Sequence, residues 1–132
     1  MVVVEKITEM EQVEKIEEVL KQIAEIDGKI TKISHDMFDV NKECDCKQLN
    51  LEQEQITLKH EYEEQGVKPT QAKEKAKLDT KQQQIELMAK QARREVLKID
   101  LDHLKRRQKH AYKLLEIMIM CFEETGGCKC SG

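Results

Sequence analysis

The sequence predicts an all-α fold, a long antiparallel coiled-coil helical hairpin. Three observations carry that expectation. Apolar residues recur every seventh position over most of the chain. Charged residues make up 37% of the 132 residues while aromatics make up 3%, with no Trp. The only proline follows a glycine near the midpoint, in "EEQGVKPTQAKE". Long helices and coiled coils share this composition. Thin aliphatic side chains suit a narrow seam between two helices better than a broad globular core. A disordered chain of similar charge lacks fixed apolar spacing.

Arm one is expected over about 3–65. Its seam starts from Ile16 and continues through Ile23, Ile30, Met37, Cys44, Leu51 and Leu58. The second seam position is filled by Val19, Ile26, Ile33 and Val40, then passes to Lys47, Glu54 and Glu61. This is a heptad repeat well beyond the three or four units that distinguish a coiled coil. Gly28 lies inside the run. A glycine in a helix interior costs about 1 kcal/mol relative to alanine, and the seam passes through it without a skip. The sequence therefore favours a continuous helix. A break at Gly28 would give a three-helix bundle instead.

The tip is expected at 66–69. Gly66 suits the left-handed position after a helix end. Pro69 disfavours a helical Lys68 and cannot sit in a helix interior without loss. Thr70 is the expected N-cap of the next helix.

Arm two is expected over about 70–125, with a tail at 126–132, so that the whole chain forms a single helical domain. Its seam is read in two phases. Leu78, Ile85, Ala92 and Ile99 are seven apart, with support from Ala89 and Val96. Then Leu97, Leu104, Ala111 and Met118 take over, with Leu101, Leu115 and Phe122. Such a phase change corresponds to a local change in supercoil winding. Gly126 and Gly127 would stop the helix.

Charge supports the pairing of the arms. Residues 1–65 hold 17 acids and 8 lysines, whereas residues 66–132 hold 9 acids and 15 Lys or Arg. An acidic and a basic helix select one another, although single exposed pairs contribute little.

The function classes follow from the same features. "AYKLLEIMIMCFEE" is apolar on more than one face, and one facing helix cannot cover it. Val3, Val4, Ile7, Leu114, Leu115, Ile117, Met118, Ile119 and Phe122 are the expected oligomer interface. A homo-oligomer, with a dimer favoured, and a further protein partner are the expected associations. The leading expectation is a non-catalytic interaction or scaffold protein that serves as a spacer or assembly subunit. An alternative is a nucleic-acid accessory role for the basic stretch 90–113. There Arg93, Arg94, Lys98, Lys105, Arg106, Arg107, Lys109 and Lys113 would track phosphates. Against it stand six acids in the facing stretch 22–45 and the lack of interleaved aromatics for base stacking.

A third class uses the thiols. Cys44 with Cys46, and Cys128 with Cys130, form two C-x-C pairs. They are the candidate metal ligands or redox groups, but zinc fingers space their ligands C-x₂₋₄-C. Residues two apart on one helix also diverge. "SHD" at 34–36 holds the residue types of a hydrolase triad, yet three consecutive helical residues cannot converge. No phosphate loop, HExxH or dinucleotide turn is present. No cofactor and no enzyme activity are expected. No run approaches the roughly 18 apolar residues that cross a membrane. Five cysteines without a signal segment suggest a cytoplasmic or other reducing intracellular compartment.

Overall fold

A computed structural model describes the backbone of residues 2–124 and the side chains of residues 10–124. The fold is all-α, with three helices: α1 (Val2–Glu64), α2 (Pro69–Asp79) and α3 (Lys81–Phe122). Long α1 and α3 pack antiparallel, with the short α2 between them in sequence. The expected hairpin is present, and its second arm is divided.

Two compact units can be distinguished. The terminal unit contains α1 up to Ile33 and α3 from Asp100, and the tip unit is Ser34–Ile99. Gly28 interrupts neither the helix nor the terminal unit. It lies within α1, and a Cβ there would meet nothing within 4 Å. The three-helix alternative with a break at Gly28 is therefore not the structure. The third helix arises from a break at Thr80.

In the terminal unit, Val19, Ile23, Ile26 and Ala111 form a buried cluster, with Ile30, Leu115 and Met118 packed against it. Leu104 is buried in the same unit. Gln108 donates to Asp27 across the two helices at 2.5 Å. These contacts follow the expected seam on both arms.

The tip reproduces the expected stop and start, with one correction. Gly66 has φ +92°, the left-handed region that favours glycine. Val67 N–H donates to Tyr62 O and Gly66 N–H to Glu63 O, both at 3.0 Å. This paired closure is the Schellman arrangement, which satisfies carbonyls that the helix end leaves without partners. Lys68 is then extended (φ −62°, ψ 145°), as a residue before proline should be, and is itself the N-cap. Its carbonyl accepts from Ala72 N–H at 2.8 Å, but its side chain makes no capping bond. Thr70 therefore does not cap α2: the proline takes the first helical position and moves the cap two residues earlier than the expected site.

The larger correction concerns residues 78–99. The residues that face α1 in the tip unit are Ala72, Ala76, Thr80, Leu87 and Leu97, all buried, with Gln83, Gln84, Lys90, Gln91 and Arg94 half-buried. The heptad of Leu97, Leu104, Ala111 and Met118 simply continues backward in phase. The expected first-phase seam faces outward: Leu78 is 67% exposed, Ile85 52%, Val96 56% and Ile99 65%. No phase change is needed.

The inner seam is polar here because α1 offers polar partners. Lys90 pairs with Glu43 at 2.8 Å and Lys47 with Glu86 at 3.5 Å. Gln83 donates to Glu54 at 2.9 Å. Thr80 is fully buried. Its hydroxyl donates to Ala76 O at 2.8 Å and accepts from Gln55 Nε2 at 3.1 Å. Gln84 Nε2 reaches back to Lys77 O at 2.8 Å and so supplies a donor at the helix break. A threonine hydroxyl that bonds back to the i−4 carbonyl commonly bends a helix.

Candidate interaction surface

The described residues contain two exposed apolar surfaces. The first lies at the end of α3, in the terminal unit. Leu114, Ile117, Ile119 and Met120 are exposed, with Ile117 at 56% and Met120 at 58%. Of the expected interface, Leu115 and Met118 are turned toward α1 and pack on the buried cluster, and Phe122 is half-buried. The side chains of Val3, Val4 and Ile7 lie outside the described residues. The helical repeat explains the division: positions 115, 118 and 122 belong to the inner seam, while 114, 117 and 120 lie on other faces.

The second surface is the outer stripe of α3 in the tip unit, where Ile85, Ala89, Ala92, Val96 and Ile99 are all exposed, with Leu78 exposed before the break on α2. With Gln82, these residues alternate by fours and threes, which is the spacing of a coiled-coil seam. Met88 flanks the stripe and is also exposed. Exposed apolar residues of this kind suggest a protein partner or an oligomer.

The basic stretch is distributed unevenly. Arg94 is half-buried, whereas Arg93, Lys98, Lys105, Arg106, Arg107, Lys109 and Lys113 are exposed. The expected match of acidic and basic arms is realised at Glu43 and Lys90 and reversed in sign at Lys47 and Glu86. Among the described residues, Lys105, Arg106, Arg107, Lys109 and Lys113 make no ion pair. The described acids of arm one therefore do not occupy them.

Two groups titrate away from their ordinary ranges. The Lys90 ammonium, by hydrogen bond and by charge, holds the Glu43 carboxyl below the usual carboxylate range, and Lys47 and Arg93 add smaller contributions. The Tyr62 phenol donates to Asp79 and is pushed up, chiefly by that bond and also by burial and the neighbouring carboxylates. Lys75 Nζ stands over the Tyr62 ring, 5.5 Å from its centroid. A raised folded-state pKa stabilises the fold below the ordinary tyrosine range, and that stabilisation is lost as pH rises through the folded value. Asp79→Asn should lower the Tyr62 transition, followed by phenolate absorbance in a Tyr112→Phe background. An unchanged transition would mean that the carboxylate does not hold the phenol.

The thiols separate as expected for residues two apart on a helix: Cys44 is buried in the seam, while Cys46 is exposed. Cys121 is exposed, and Cys128 and Cys130 lie outside the described residues. Among the described residues no group of three His, Cys, Asp or Glu side chains is placed to hold a metal ion. A groove of about 360 Å³ lies beside the tip, between α1 and α2, with Ile56, Lys59, Lys73 and Lys77 on its walls. Neither of the two groups with a shifted pKa lines it. Among the described residues no helix is long and apolar enough to cross a membrane.

No protein-family model, curated protein or solved structure matches the chain. The functional reading therefore rests on the surfaces alone.

Proposed function

We propose that this chain is a non-catalytic coiled-coil interaction protein that self-associates through its terminal unit and serves as a spacer or assembly subunit. The observation that carries the reading is the exposure of Leu114, Ile117, Ile119 and Met120 beside a seam already filled by Leu115 and Met118. A second copy packed about a two-fold axis would cover these side chains and form a local four-helix bundle.

Because Leu115 and Met118 support the monomer core, charges placed there would test folding and association together. Ile117 and Met120 are the cleaner sites. The double variant Ile117→Asp, Met120→Asp should keep its helical circular dichroism and weaken this association by about a hundredfold, or close to 3 kcal/mol. Sedimentation equilibrium reads the change. A wild-type chain that sediments as a monomer at every concentration would overturn the reading.

A second reading, nucleic-acid binding by α3, is favoured by the five exposed cations of 105–113 that lack acidic partners. Binding would fall steeply with added salt as counterions are released. Arg106→Glu with Arg107→Glu should flatten that dependence. Salt-independent binding, or none, removes this reading.

A further inference from the structure

We propose that the outer stripe of α3 in the tip unit is a second self-association seam, which pairs antiparallel with the same stripe of a second copy about a two-fold axis. It is a different surface from the terminal one, so the two proposals can fail separately. The juxtaposition behind it is an apolar heptad seam, Ile85 to Ile99, on the face of α3 turned away from α1.

Spacing comes first. An accidental scatter of exposed apolar residues has no period, whereas these positions on α3 keep the alternation of fours and threes from Gln82 to Ile99. The inner seam of the same residues is largely polar and already partnered by Glu43, Glu54 and Gln55, with Gln83 Oε1 left buried without a hydrogen bond. The more apolar of the two stripes is thus the one without an intrachain partner. A helix is the partner that matches a seam of this period. Ala89 and Ala92 lie at its middle. Small residues at a crossing let two helix backbones approach to about 8 Å, the short end of the packing range.

Charge then selects the occupant. Flanking positions of an antiparallel coiled coil meet their own kind across the interface. With Ala89 layered against Ala92 of the second copy, Ile85 meets its Val96 and Gln82 meets its Ile99. In that register Glu86 faces Arg93 of the second copy, and the two-fold axis repeats the pair. Lys81 likewise faces Asp102 of the second copy. All four side chains are exposed, and Glu86 would share its carboxylate between Arg93 of the second copy and Lys47 of its own chain. One pair opposes, because Asp79 meets Asp100 of the second copy, and Asp79 there already accepts from Tyr62. Parallel pairing would also join Lys81 to Glu86 and Asp102 to Arg107 of the second copy, but it sets Glu95 against Asp100 of the second copy and aligns the cations of 105–113 with themselves. The sequence around Ala89 is therefore complementary to its own reverse.

The test uses the full chain carrying Ile117→Asp and Met120→Asp, so that association through the terminal surface is removed. This protein should still dimerise by sedimentation equilibrium. Adding Ile85→Asp, or independently Val96→Asp, should weaken the dimer by about a hundredfold with helical circular dichroism unchanged, since both residues are exposed. In the same background, Glu86→Arg alone and Arg93→Glu alone should each weaken self-association. An equimolar mixture of these two chains should form a one-to-one heterodimer, because every Glu86–Arg93 pairing is then restored with opposite charges. Parallel pairing, or a purely structural role for these residues, does not produce that rescue.

A monomeric protein in the Ile117→Asp, Met120→Asp background would overturn the outer seam and leave the terminal reading intact. Dimers that resist Ile85→Asp and Val96→Asp, or a mixture that fails to form heterodimers, would also overturn it. A wild-type oligomer unaffected by Ile117→Asp and Met120→Asp but dissociated by Ile85→Asp would uphold this seam and remove the terminal one.

Discussion

Ile23→Ala is expected to destabilise the terminal unit by about 2–5 kcal/mol, the range for truncating a large buried aliphatic side chain. Ile23 is buried and belongs to one contiguous cluster with Val19, Ile26 and Ala111. The opposite wall combines the small Ala111 with Leu115 and Met118, which pack against the cluster. Their longer side chains can fill part of the space left behind, which places the cost toward the middle of the range. The effect should be local. Hydrogen exchange should speed at the amides of residues 19–30 and 104–118, while those around Glu43, Leu87 and Lys90 keep more of their protection. Uniform acceleration through both units would show that they unfold as one and would refute the local assignment.

The second large effect concerns Thr80. Thr80→Val preserves shape and removes the hydroxyl, leaving Gln55 Nε2 without this acceptor and the Ala76 carbonyl with only the longer bond from the residue-80 N–H, 3.2 Å, at the helix break. Buried polar groups deprived of partners cost about 1–3 kcal/mol. Thr80→Ser keeps the hydroxyl and loses one methyl, so it should cost less, about 1 kcal/mol. Urea unfolding followed by circular dichroism separates the two. A valine variant at least as stable as the serine variant would mean that apolar contact, not hydrogen bonding, holds the α2–α3 junction. In that case the sequence would have tolerated an unbroken second helix.

Arm one was legible from its sequence. The positions read as seam residues from Ile16 to Leu51 are buried or half-buried. There the apolar residues and the contact face coincide, so periodicity alone identifies both. The tip was legible because Gly66 and Pro69 restrict the backbone directly, independent of any partner. The late seam of α3, from Leu97 to Met118, was legible for the same reason as arm one.

The seam read over residues 78–99 was misplaced, and the reason is physical. Period seven shows which stripe is apolar, but does not show what that stripe meets. In this stretch the contact face is chosen by Glu43, Lys47, Glu54 and Gln55 on α1, whose hydrogen bonds and ion pairs draw Thr80, Gln83 and Lys90 inward. A signal was present nonetheless. The phase of Leu97, Leu104 and Ala111 extends backward through Lys90, Gln83 and Ala76, and phase weighed above hydropathy identifies the contact face, though not the break at Thr80. The interface residues at the end of α3 were half legible. Excess apolar surface was evident from "LLEIMIMCF", yet only the helix rotation separates Ile117 and Met120 from Leu115 and Met118.

The seam of the tip unit has a kinetic consequence. Hydrogen bonds and ion pairs that exchange readily with water resist transient separation less than a dry aliphatic wall does. Breathing of the arms should therefore be more frequent around Cys44 than around Ile23. Cys44 is shielded and Cys46, two residues along the same helix, is open to solvent. The chain thus carries a concealed thiol and its own unshielded standard side by side. The ratio of their alkylation rates is a built-in clock for how often the helices part.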